Sequence, residues 1–148
     1  MTFPVSTVPN AIGQILTLAG SAVPTDTLVV YGSPREYEAA NVVLVTGWQT
    51  VETPASLADY PSFQLEEVYE VEGMIRCYQG DLNQTATMTS ATGIKTALQS
   101  AIRSDPTLAG NVRAAWWSSE VGRTGITDRG GVATEIEFSI HCEARISH

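Results

Sequence analysis

Basic residues are scarce in this 148-residue chain. Eight lysines and arginines stand against sixteen acids, a formal charge of −8. Domains that grip nucleic acid carry a basic stripe to neutralise phosphates, so this balance argues against such a role. The two cysteines, Cys77 and Cys142, show neither C-x-x-C nor metal-ligand spacing. They read as small buried apolar residues, and a disulfide requires their strands to be neighbours. No segment approaches the ~20 apolar residues of a membrane span. The start, Met1-Thr2-Phe3-Pro4, lacks the charged opening and apolar run of a signal peptide. These features point to a protein made and kept in a cytoplasm.

Motifs of catalysis are also missing. There is no H-E-x-x-H, P-loop, G-x-G-x-x-G or G-x-S-x-G pattern. Of the two histidines, His141 falls on the polar side of a strand and His148 is the final residue, so neither is placed as a base or ligand. Glu70 and Glu72 share a strand face, as do Glu135 and Glu137, and paired acids can hydrolyse glycosides. On the outward face of amphipathic strands, however, water screens them. The sequence therefore implies no catalytic residue, no metal and no cofactor.

What is present is enough apolar residue for a core, 43% of the chain, at the size of one ordinary domain. A helix is expected from near Thr7, with Pro9 in its first turn, Ile12, Ile15, Leu16 and Ala19 as its apolar stripe, and Gly20 as its stop. Thr27 to Tyr31 reads as a short buried strand, and Asn41 to Trp48 as a second. Residues 52–64, with Pro54 and Pro61, form a loop.

Two later stretches alternate cleanly. Tyr69, Val71, Gly73, Ile75 and Cys77 oppose Glu70, Glu72, Met74 and Arg76. Val132 through Ile146 alternates over fifteen residues. Strict period two marks antiparallel strands with one packed and one polar face, the second about 50 Å long and expected to project beyond the domain body. Between them a helix capped by Thr89 or Ser90 carries Ile94, Ala97, Leu98, Ala101 and Ile102 on one side and ends at Asp105-Pro106. Asn111 to Glu120 is a further strand, and Ser118 to Gly131 a polar, glycine-rich hairpin loop. Its Arg123 and Arg129 suit an interaction loop better than a phosphate cradle, because no helix opens there.

The fold class is thus α/β in the α+β sense. A mostly antiparallel mixed sheet is flanked by two main helices, with a long projecting hairpin, in a single domain over 1–148. Trp116 and Trp117 are adjacent on a strand and cannot share a core face, so one is left over as a contact anchor.

Several of these segments resemble the tail terminator proteins of long-tailed bacteriophages. They are the helix Thr89–Ser104, the turn Asp105-Pro106-Thr107-Leu108-Ala109-Gly110, the strand opening Asn111-Val112 and the strand closing Cys142-Glu143-Ala144-Arg145-Ile146. The N-terminal helix followed by Val29-Val30-Tyr31-Gly32-Ser33-Pro34 is similar too. Where the family has a Gly-Gly pair after the turn leucine, this chain has Ala109-Gly110. The resemblance implies a non-catalytic virion protein of the tail or neck, assembled in the host bacterial cytoplasm. It would form a homo-oligomeric ring, usually a hexamer, between the tail tube protein and a head-side connector or stopper, with DNA passing through. Trp116, Trp117, Arg123 and Arg129 are then candidate subunit contacts, and Glu70, Glu72, Glu135 and Glu137 candidate channel-facing acids. Two other readings stay open: a tail tube or other connector ring, and a small acidic enzyme or ligand-binding domain. The acids themselves have two readings, a solvated surface or a face that repels passing DNA.

Overall fold

The computed structural model describes residues 6–33, 39–51, 65–128 and 130–146. The expected loop at 52–64 and Arg129 lie outside them. In chain order the elements are α1 (Val8–Ala22), β1 (Leu28–Tyr31), β2 (Asn41–Thr50), β3 (Leu65–Gln79), α2 (Gln84–Ser104), β4 (Ala114–Ile126) and β5 (Val132–Ile146). The strands form one mixed sheet in the order β1-β2-β3-β5-β4, parallel only at β1–β2. This is the α+β architecture expected.

Both helices pack on one face of the sheet. Alternation decides which residues meet them: Tyr69, Val71, Ile75 and Cys77 from β3, and Ile136, Phe138, Ile140, Cys142 and Ala144 from β5, are buried with Ile12, Ile15, Ala19, Ala91, Ile94, Leu98 and Ile102. Gly73 belongs to the same face. A Cβ there would collide with the Phe138 ring and the Leu44 carbonyl, so the ring fills the space that a side chain would take.

Long-range polar contacts fix the helices. Glu67, at the start of β3, accepts hydrogen bonds from Thr7 N (2.8 Å), Thr7 Oγ1 (2.7 Å) and Ser6 Oγ (2.6 Å), placing a carboxylate at the N-terminus of α1. That end of a helix carries partial positive charge and unsatisfied N–H groups, so the contact stabilises it. Gln14 of α1 reaches Asp105, which follows α2, at 3.0 Å.

Several expectations need correction. α1 runs past Gly20 to Ala22, and Val23 and Pro24 end it. β1 is a half-buried edge strand rather than a fully buried one. α2 begins at Gln84, capped by Asn83 Oδ1, which accepts from Ala86 N at 3.1 Å; Thr89 and Ser90 lie inside it. Its first turn is anchored by Thr87, whose hydroxyl meets that of Thr134 on β5 at 2.9 Å.

The largest difference is at β4. Ser118 to Ile126 is strand rather than loop, paired with β5 until Ile126 faces Val132, and the chain then reverses with Thr127 N bonded to Gly131 O and Gly130 N to Thr127 O. Gly131 is required in that turn, because a Cβ there would strike the Gln79 carbonyl and the Tyr78 side chain. The hairpin does not stand free: β3 accompanies β5 along its whole length, from Gln79 opposite Val132 to Leu65 opposite Ile146.

Cys77 and Cys142 sit on neighbouring strands, but Cys142 faces Tyr69. At ~3.3 Å per residue the two thiols are about 25 Å apart, beyond any disulfide. Both are free.

Candidate interaction surface

Over β3, β5 and β4 no helix among the described residues lies above the second face of the sheet, and the register arranges its side chains in rows. Glu66 lies opposite Arg145, Glu70 opposite His141, Glu72 opposite Ser139, Met74 opposite Glu137, and Arg76 opposite Glu135. β4 adds Trp116 beside His141, Val121 beside Glu137 and Arg123 beside Glu135. A bulge at Ser118 resets the alternation. All four acids singled out from the sequence therefore lie on this one open face, where the two strand patterns alone left them as separate pairs.

The two tryptophans divide. Trp117 turns to the helix side and stacks on Phe138 with ring centroids 4.6 Å apart, so it is a core residue rather than a contact anchor. Its Nε1 is buried without an acceptor among the described residues. Trp116 faces out. It is 45% exposed and lies over the His141 ring at 4.4 Å.

His141, set aside at the sequence level, is the hub of this end of the face. Nδ1 lies 3.4 Å from Glu70 and Nε2 lies 3.1 Å from Glu143. Arg113 joins Glu143 at 2.6 Å and Glu66 at 3.6 Å, and Arg145 reaches Glu66 at 3.9 Å. Ser118 Oγ donates to Glu70 at 3.0 Å. Ser118 thus meets the Glu70 carboxylate, and also the Ser139 carbonyl at 3.1 Å, rather than the imidazole. The signal for this hub was available: His141, Glu143 and Arg145 share the parity of Glu135 and Glu137. What the sequence withheld was the β3–β5 register that sets Glu70 against the ring.

Further along, the charges are less engaged. Glu72 and Glu137 border a groove of about 320 Å³ with Thr46, Met74, Ser119 and Val121. Glu137 is met only loosely by Arg123, at 3.8 Å with both side chains more than half exposed. Next to it, Arg76, Arg123 and Glu135 border a second concavity of about 290 Å³. On the opposite side of β4, Glu120 pairs with Lys95 of α2 at 3.1 Å, tying the edge strand to the helix layer.

Among the described residues no group of three or more His, Cys, Asp or Glu gathers as metal ligands. No described helix is long and apolar enough to cross a membrane.

No family model matches the chain, and no curated protein matches it in sequence. Among solved structures it is similar to a chain of the "Virion of native gene transfer agent (GTA) particle", at 11% identity and a TM-score of 0.45, covering 93% of this chain and 92% of that one. Likeness at that level assigns no role to any residue.

Proposed function

We propose that this protein is a structural virion subunit that assembles with copies of itself into a closed ring. In this reading, which rests on the sequence resemblance, it is a tail terminator. Six copies cap the tail tube, end its polymerisation and present a joining surface to a head-side connector, while DNA passes through the lumen. The reading assigns it no catalysis and no cofactor.

The observation that carries the self-associating part is the open sheet face with Trp116 on it. A two-layer domain needs no large aromatic on its uncovered side. Aromatic anchors at 45% exposure, ringed by polar side chains, are favoured in interfaces. Beside it, β4 is an edge strand whose exposed side chains include Val121 and Ile126. Long edges of this kind invite pairing with another chain. A heterologous contact that closes on itself gives a ring.

Mass photometry of the purified protein should show a discrete oligomer, and Trp116→Ala should shift it toward monomer without loss of fold. A wild-type protein that stays monomeric at every concentration would overturn the reading. Electron microscopy separates the close alternative, since a terminator gives isolated rings and a tube protein gives long stacks.

A further inference from the structure

Three carboxylates and two guanidiniums gather around His141. Glu70 and Glu143 lie at its two ring nitrogens, at 3.4 and 3.1 Å. Arg113 contacts Glu143 and Glu66, and Arg145 contacts Glu66. With a neutral ring this group sums to −1, and a proton on His141 brings it to zero. β4 contributes only uncharged neighbours: Trp116, with its ring centroid 4.4 Å from that of His141, and Ser118, which donates to Glu70. Glu72, the next acid along β3, borders the groove instead. Tyr69 and Cys142 point to the helix side of the sheet, where burial keeps both protonated.

A neutral imidazole has a single N–H, so one of its two carboxylates must face a nitrogen lone pair. An imidazolium donates to both. Only 16% of the His141 side chain is exposed, so water does little to relieve that mismatch.

We propose that His141 is a proton switch on the open face, balancing the charge beneath Trp116 when it takes up a proton. The protonated ring closes both carboxylate contacts and sets a cation against the indole. Loss of the proton leaves one carboxylate uncompensated. Imidazole is the side chain that exchanges its proton nearest neutrality, which suits it to this task. Burying a patch without net charge costs less than burying a charged one. Trp116 should therefore dock more readily after acidification. That consequence depends on Trp116 being a contact between copies, as proposed above; the switch itself belongs to the single chain.

The switch is read first in dilute, monomeric full-length protein, by NMR of the His141 ring and by Trp116 emission between about pH 5 and 8. On acidification both ring nitrogens should become protonated, and Trp116 emission should change with them. Trp116→Phe identifies its share of the signal from three tryptophans. The emission step should vanish in His141→Gln, which keeps His148 and every carboxylate. Analytical ultracentrifugation should then show wild type associating roughly two- to fivefold more tightly at the acid end. Glu70→Gln sets two carboxylates against two guanidiniums around a neutral ring, so it should associate near neutrality as tightly as wild type does in acid. Circular dichroism would confirm the fold of each variant. A ring that stays neutral throughout, or an emission step that persists in His141→Gln, refutes the switch. Equal association of wild type at both ends of the range refutes its control of docking. If ring and emission respond as stated but wild type never associates, the switch stands and the ring reading falls.

Discussion

Cys77 and Cys142 sit against the helix layer as small apolar fillers, and burial pushes their thiols up from an ordinary 9.0 to about 11 and about 12. For Cys142 the nearby Glu70 carboxylate adds to the effect, while a hydrogen bond with Tyr69 opposes it. A protonated thiol is a poor nucleophile, so alkylation by iodoacetamide at about pH 8 should be slow in the native protein and fast in denaturant. The native state holds these protons more tightly than the unfolded chain does. Stability should therefore be intact below about pH 9 and fall as pH rises toward 11 and 12, which urea midpoints across that range would show. A second residue-scale test concerns the turn after α2. Leu108 and Ala109 have φ of 48° and 58°, and Gly110 follows at 82°. Leu108 is fully buried and anchors the turn, and Ala109 N is held by the Asp105 carboxylate at 3.0 Å. Ala109 gains nothing from its methyl group in a left-handed conformation. Ala109→Gly should stabilise the protein by about 1 kcal/mol, seen as a rise in melting temperature.

Elements whose register is written in their own alternation were legible in the sequence; those defined by a partner were not. β3 and β5 announce themselves because each buries one face against the helices, so period two runs unbroken from Tyr69 to Cys77 and from Thr134 to Ala144. The sequence starts α2 too late because Thr89 and Ser90 look like capping residues. Thr87, in its actual first turn, satisfies its hydroxyl on Gln84 O and Thr134, which only the folded sheet supplies. The outer half of β4 read as loop because Gly122 and Gly125 weaken strand propensity and its side chains are exposed on both faces. β5 holds it as a strand. The same limit explains the site: parity placed the acids outward, but the partners of Glu70, Glu143 and Arg113 come from across the sheet. Hydrogen exchange on the isolated subunit tests the strand assignment directly. From Ser119 to Ile126, amides bonded to β5 should exchange slowly and the intervening ones quickly, in alternation. Uniformly fast exchange would return this segment to a loop.

At the scale of the molecule, charge bears on passage. DNA carries about one negative charge per 1.7 Å of duplex axis, and an acidic lumen repels it within a Debye length of ~8 Å. Of the four acids on the open face, Glu70 is engaged by His141 and Ser118, while Glu72 and Glu137 border a groove with little neutralisation. In the proposed ring these last two are the better channel candidates. Glu72→Lys/Glu137→Lys should fold and assemble normally, yet its rings should retain duplex DNA at low salt in a gel-shift assay, where wild-type rings do not. Wild-type rings that bind duplex with a steep salt dependence would defeat this account.

The strand order also sets a timetable. β5 follows every other strand in the chain yet lies between β3 and β4, and its contacts with β3 join residues roughly fifty to eighty positions apart. A chain emerging from the ribosome can close α1 and α2 early, but β3 waits with one edge bare until residue 132 and beyond arrive. Folding should therefore be late and all-or-none. Chains arrested before β5 should need chaperone protection, and no half-built subunit should be competent to join an assembly.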